Sequence, residues 1–508
     1  MSKISFFDIS LFQLIGYALL LLFVLLFVKL LYHLIYNLYL SPLSKIPSPS
    51  FLCSISSIPI ILRKPEGKIF NWYFYLHKKL GPVVRIGPSF VLFSSKNAVM
   101  QILINDNLPK SDSLAGIRSD PNFPTLFSAT DKPFHQKRRK LLSSAFSIKY
   151  ISTLEPLMRS CTDVLLQKVL SLTNNSNNDI QYNNNINGLP ILNIYELVQA
   201  CTLDIIGETA FGGSFNIVEK GNHPLPEKVF QELKRRVMCH TFPYLKSFMV
   251  KDSWIDEFIS NIIKERRELN AQGKKRKDIL QILIDSKENS DDPLTEFEIQ
   301  DQIMEFVIAG SDTGSLTINM ALIMLLQHPE KLETLVSELD SLNLHQSSNN
   351  SSTFIPSHDS IKNLKYLNAV IYEILRLFPA SIGGILRQTT KDTVIDGYLI
   401  PKDTAVSASI LSVHKSKEIW GPDADDFVPE RWLNPENLPI KGCFYGFGAG
   451  SRYCIGVNFA WMEMRLLLAS LLLNFKFEMV KNQDLDLVHF ITPALKSKKF
   501  LVGVKTRH

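Results

Sequence analysis

Cys454 stands in Phe447-Gly448-Ala449-Gly450-Ser451-Arg452-Tyr453-Cys454-Ile455-Gly456, just ahead of a run in which Ala460, Met464, Leu467, Leu468 and Leu471 recur at helical spacing. That pattern places the thiol at a helix N-terminus, where unpaired N–H groups and the positive dipole end favour a thiolate, a metal ligand. Gly448, Gly450 and Gly456 lack side chains, so the backbone can turn tightly and a large flat ligand can approach. An isolated cysteine in a glycine-rich turn is otherwise a small buried hydrophobe.

A second chemical signal lies upstream. Thr295-Glu296-Phe297-Glu298 is a capping box, and an apolar-periodic run follows it to Gln327, before His328-Pro329. The predicted helix, about 48 Å long, carries Ala309-Gly310-Ser311-Asp312-Thr313-Gly314 in its middle, polar where core packing favours Leu or Ile. Buried Asp312 and Thr313 need partners or a purpose. Thr313 can satisfy itself by bonding to the preceding turn.

Phe447, Gly450, Arg452, Cys454 and Gly456 match F-x-x-G-x-R-x-C-x-G, the haem loop of the cytochrome P450 family, and the chain resembles membrane-anchored eukaryotic microsomal members, fungal ones among them. The hexapeptide resembles that family's A-G-x-D-T-T motif, with Gly314 where Thr or Ser is usual. Gly314 is expected to loosen the helix or enlarge the pocket. Glu373-Ile374-Leu375-Arg376 matches E-x-x-R, and Phe427-Val428-Pro429-Glu430-Arg431-Trp432 resembles P-E-R-F/W. His135-Gln136-Lys137-Arg138-Arg139 resembles W-x-x-x-R with His135 in place of tryptophan.

The resemblance implies haem b with Cys454 as axial ligand, Ala309 and Gly310 beside an oxygen groove, and Thr313 and Asp312 guiding protons. It implies propionate contacts from His135, Arg139, Arg387 and Arg452, and a buried network of Glu373, Arg376 and Arg431. The remaining cations near His135 would form an outer face for an acidic electron donor. The family further implies electrons from an NADPH–cytochrome P450 reductase, admits cytochrome b5 as a second donor, and takes small-molecule substrates. Segments 113–130, around 225–252, the helix before Thr313, 380–385 and 491–496 would line the pocket; Phe123, Phe127, Phe242, Phe248, Phe306, Ile382 and Ile491 there suggest an apolar substrate. Two other classes stay open: a reductase-independent isomerase or dehydratase, and a non-enzymatic membrane haem protein.

Residues Ile9 to Val28 carry no charge over about 30 Å of helix, one hydrocarbon thickness. Lys29, Lys45, Arg63 and Lys64 follow this run against a single Lys3 before it, which orients the body to the cytosol; the resemblance implies the endoplasmic reticulum as the membrane. The expected layout is a lumenal tip and anchor at 1–40, a stiff Pro-rich hinge at 41–59, and one catalytic domain at 60–508, mainly α with a small β region. Gly81-Pro82 to Phe93 reads as a strand pair. The asparagine-rich stretch 174–187 and the serine-rich 347–352 read as disordered loops; their sequons at Asn174, Asn349 and Asn350 stay unmodified in a cytosolic domain. Across 508 residues the net charge of +6 is too mild and dispersed for nucleic acid, and six cysteines without regular spacing suggest neither a disulfide framework nor a zinc site.

Overall fold

Thr295 and Glu298 cap the longest helix of the computed structural model reciprocally. The Thr295 side chain accepts from the Glu298 N–H, and the Glu298 carboxylate accepts from the Thr295 N–H. The structure describes residues 11–507 apart from 119, 121, 175–184, 222, 243, 245–246, 289–293, 343–352, 383, 435, 437–441 and 491. Ile491, Asn349, Asn350 and most of the two polar inserts therefore lie outside the described residues. The ends of the first insert are ordered: Asn174 closes the helix Glu155–Asn174, and Asn185–Ile186 pairs antiparallel with Leu189 and Pro190.

The N-terminal apolar helix is α1 (Leu11–Ile35). Framing the site are α2 (Lys132–Leu142), α3 (Ile194–Phe211), α4 (Leu225–Thr241), α5 (Glu296–Gln327), α6 (Lys365–Leu377) and α7 (Val457–Asn474). The span Gln13–Leu40 has mean hydropathy 2.7 and buries none of its most apolar window, as fits a membrane anchor. By contrast α5, the other helix long and apolar enough to span, has 72% of its window buried and is a core helix. Helix α1 outruns the charge-free stretch because no breaker intervenes before Ser41-Pro42.

The segment expected to be a stiff extended hinge is folded against the body instead. Pro42–Lys45 forms a 3-10 turn capped by the Ser41 side chain, and Phe51–Ile55 and Ile58–Arg63 are short helices. Proline at the first helical positions loses no hydrogen bond, and Leu43, Ile46 and Cys53 are buried. Buried Arg85 clamps the end of the anchor through Asn37 O and Oδ1, each at 2.8 Å.

Strand content is small. One sheet runs β1 (Val83–Gly87), β2 (Phe90–Phe93), β4 (Ala405–Ala408), β3 (Ile385–Gln388), with β1–β2 antiparallel and β2–β4 parallel. Leu501–Thr506 lies between Leu189–Asn193 and Phe475–Met479 in another. The chain is thus mainly helical with small sheets, and α5 crosses its core between α3 and α7, with Ile299, Leu316, Leu322 and Leu325 fully buried.

Candidate active site

The Cys454 loop closes on itself before α7. The Cys454 N–H donates to Phe447 O at 3.0 Å, the Gly448 N–H to Tyr445 O at 2.9 Å and the Tyr453 N–H to Gly450 O at 3.1 Å. Gly448 and Gly450 have φ of +75° and +68°, where side chains are strained, and a Cβ on Gly450 would overlap the Leu103 carbonyl oxygen. Helix α7 begins only at Val457, so Cys454 precedes the first turn rather than capping it. Burial pushes its thiol up, opposed by the Gly456 N–H and by Arg139. The protein alone favours the thiol, and a metal held there would stabilise the thiolate expected from the sequence. The thiol is exposed, but to a cavity of about 810 Å³ inside the molecule.

The opposite wall of that cavity is α5, through Ala309, Gly310, Thr313, Gly314 and Thr317. Thr313 Oγ1 donates to Ala309 O at 2.8 Å, which leaves the hydroxyl's lone pairs free to accept. Gly310 is small for a packing reason as well: a Cβ there would press into Ile206 of α3. Asp312 does not line the cavity. It accepts from Thr492 Oγ1 at 3.2 Å and from Gln199, and burial raises its pKa to about 6. Thr492 does line the cavity.

Gly314 does not loosen α5, which is helical throughout 296–327, and it lines the cavity. Its missing side chain makes room for the Glu463 carboxylate of α7, whose Oε2 a Cβ would overlap. Glu463 is buried, its Oε1 has no hydrogen-bond partner, and burial holds its carboxyl well above the usual range. Sequence reasoning missed this acid because only the α5–α7 packing brings it to the cavity. Because its folded pKa exceeds the unfolded value near 4.5, the native state binds the extra proton. Stability from this group is full below that value and lost as pH rises toward the raised one. Glu463→Gln should abolish that part of the decline, so urea midpoints of variant and parent, measured across pH, diverge in the variant's favour as pH rises.

Basic side chains line the same cavity, among them Lys110, His135, Arg139, Arg387 and Arg452. Arg452 donates to Ala129 O at 2.7 Å and Arg139 to Tyr453 O at 2.7 Å. Arg387 is buried with its Nε unpartnered, and Lys110 donates to Phe127 O. Burial and their mutual repulsion lower Lys110 to about 7, Arg387 to about 9 and His135 to about 3. Such a cluster suits a ligand carrying carboxylates, and the orphaned Arg387 Nε has a donor to offer it. Lys110 was not legible in the sequence, since an isolated bridge to Arg387 is what brings it there. Of the other cations on α2, Arg138 is not free for an outer face: it pairs with Glu298, the capping acid of α5. Lys137 and Lys140 are exposed.

Behind the loop, Glu373 accepts from Arg376 Nε at 2.8 Å and Nη2 at 2.7 Å, from Arg431 Nε at 3.0 Å and from Trp432 Nε1 at 2.8 Å. Arg376 also donates to His414 O and Ala424 O, both at 2.6 Å. His414, buried and lowered to about 3, is a link that the motifs do not mark. Its Nε2 accepts the Tyr445 N–H at 2.9 Å and its Nδ1 donates to Arg376 O at 2.9 Å.

Phe127 and Phe306 line the cavity. Among the described residues Phe123, Phe242, Phe248 and Ile382 do not: Phe123 packs on Phe297, and Phe248 is 81% exposed. Segment analogy cannot fix which way each ring turns.

A family model, Cytochrome P450, matches residues 47–502. The chain belongs to the cytochrome P450 family. It is 35% identical over 488 residues to the cytochrome P450 monooxygenase acrD of Aspergillus aculeatus, covering 92% of each chain. It is 31% identical over 421 residues to the cytochrome P450 monooxygenase mpsF of Macrophomina phaseolina, covering 82% of this chain and 98% of the relative. The benzoate 4-monooxygenase bphA of Aspergillus niger is 28% identical over 477 residues, with 87% and 89% covered. As a P450, the chain is an enzyme of the haem-thiolate monooxygenase class, which uses redox partners and small-molecule substrates.

Proposed function

We propose that this P450 inserts one oxygen atom from O2 into an apolar small molecule, by hydroxylation or epoxidation. The observation that carries the reading is the convergence on one cavity of Cys454, Thr313 and the basic side chains Lys110, His135, Arg139, Arg387 and Arg452. Cys454 would hold the iron of haem b, with Phe447, Gly448, Gly450 and Gly456 shaping its loop. Lys110, His135, Arg139, Arg387 and Arg452 would hold the propionates, while Ala309 and Gly310 face the cavity from α5. Bound there, the haem would supply activation of O2 and transfer of one oxygen atom, assisted by thiolate donation.

The chain's own residues manage protons and water. Asp312, with a pKa of about 6, exchanges protons with Thr492, which hands them to the cavity wall. Thr313, its proton engaged by Ala309, keeps its lone pairs for a donor inside the cavity. Glu463 keeps its proton inside the cavity. Phe306, Ile308 and Leu126 exclude bulk water and favour an apolar substrate.

Electrons would come from an NADPH–cytochrome P450 reductase, with cytochrome b5 as an additional donor. The reading places α1 as a single pass through the endoplasmic reticulum membrane, with the catalytic domain in the cytosol. The length and hydropathy of α1 and the monooxygenase names of the relatives support it. Turnover of an apolar substrate panel in membranes with reductase under isotopically labelled O2 tests it. One labelled atom per product and a strict NADPH requirement are expected. Product without NADPH would move the protein to the isomerase or dehydratase class, and ligand-induced spectral change without any product to a haem carrier.

A further inference from the structure

A second cavity, of about 410 Å³, opens between the helices Phe51–Ile55, Ile58–Arg63 and Ile69–Leu80. Its walls include Leu52, Ile58, Leu62, Trp72, Tyr75 and Leu80. Four of these, Leu52, Ile58, Leu62 and Tyr75, are more than two-fifths exposed, a concentration of apolar surface that marks an interaction site. Its charged groups are both positive. The Arg63 guanidinium sits 4.5 Å from the Trp72 ring centroid and donates to Pro59 O at 3.0 Å. Lys79 is exposed and makes no hydrogen bond or ion pair among the described residues, and no described carboxylate lines the groove.

The anchor fixes the depth of this groove. His33 Nε2 donates to Ile55 O at 3.1 Å, tying α1 directly to the groove's first helix. His33 lies four residues, about 6 Å of helix, beyond Lys29, the first charge after the apolar run. The headgroup layer on each side of a bilayer is about 5–7 Å thick, so the groove's first helix is held at headgroup level, within reach of lipids of the same leaflet. Exposed Tyr32, Tyr36 and Tyr39 occupy the same level, where interfacial aromatic residues gather.

We propose that this groove binds one anionic glycerophospholipid of the anchoring bilayer, with an acyl chain along the apolar wall and the phosphate between Arg63 and Lys79. The proposal rests on the reading of α1 as a membrane helix. A lipid seated there would join α1 to the catalytic domain through a third component and set the domain's tilt on the membrane.

The test uses the full chain in nanodiscs of phosphatidylcholine that contain a minor fraction of acyl-brominated phosphatidylserine or, separately, of acyl-brominated phosphatidylcholine. Bromine quenches nearby tryptophan, and the difference between the native chain and Trp72→Phe isolates Trp72. The expected result is about tenfold preferential quenching by phosphatidylserine, the scale of two cations near an anionic surface. The preference should fall to parity in Arg63→Gln/Lys79→Gln and weaken in Lys79→Gln alone, where an exposed, unpaired side chain poses no folding problem. Equal quenching by both lipids, unchanged in the variants, would mean simple immersion and overturn the proposal. Absence of quenching by either would also overturn it. Failure of the protein to float with vesicles would instead remove the membrane reading itself.

Discussion

Glu373→Ala is expected to destabilise the fold by about 3–5 kcal/mol, the cost of stranding a buried charge, and to abolish haem retention rather than merely slow turnover. The Glu373 carboxylate is completely buried and accepts from Arg376, Arg431, Trp432 and the Val428 N–H. Its removal strands the fully buried Arg376 without a carboxylate and leaves Arg431 with Asp423 alone. Arg376 holds the carbonyls of His414 and Ala424, and His414 receives the Tyr445 N–H only two residues before Phe447. The damage therefore propagates to the cysteine loop along a continuous chain of hydrogen bonds. Glu373→Gln, which keeps the acceptor oxygen and loses the charge, should fall between parent and alanine. Urea unfolding with haem content per polypeptide measures both effects, and native values in Glu373→Ala would refute the structural role.

The second large effect concerns Gly450. Its φ of +68° costs an L-residue about 1–2 kcal/mol. A Cβ would also overlap the Leu103 carbonyl oxygen, part of a buried backbone that cannot swing aside as a side-chain tip would. With overpacking at about 1–3 kcal/mol, Gly450→Ala should lose roughly 2–5 kcal/mol in all. Gly273→Ala is the control, since Gly273 shares the positive φ, at +77°, and has open space around it. It should show the backbone cost alone. Denaturant midpoints that fall equally in the two variants would show that the Leu103 contact is unimportant.

Features written in local spacing were legible in the sequence, and features made by packing were not. The capping box at Thr295 and the His328-Pro329 stop bound α5 to the residue, because caps and breakers act within one turn. Glu373 and Arg376 share a helix face by their spacing of three. Lys110, Glu463 and His414 reach the site only through a bridge, a helix contact and a short buried helix, and no periodicity announces those. Phe248 and Phe123 failed for the same reason: a segment can be assigned to a pocket without its ring pointing there. At Cys454 the sequence showed one of two opposing effects. The helix terminus acts on the thiol as expected, but Val457 starts the helix late and burial outweighs the dipole. The Pro-rich stretch after α1 misled because proline also starts short helices, as at Pro42 and Pro59.

The absorption spectrum of the reduced protein under carbon monoxide, recorded in membranes for the native chain and for Cys454→Ala, tests the haem-thiolate assignment most directly. A strongly red-shifted, thiolate-type band in the native protein that is absent from Cys454→Ala is the predicted result. A correctly folded native chain without any haem band, or one whose band survives loss of Cys454, would contradict it.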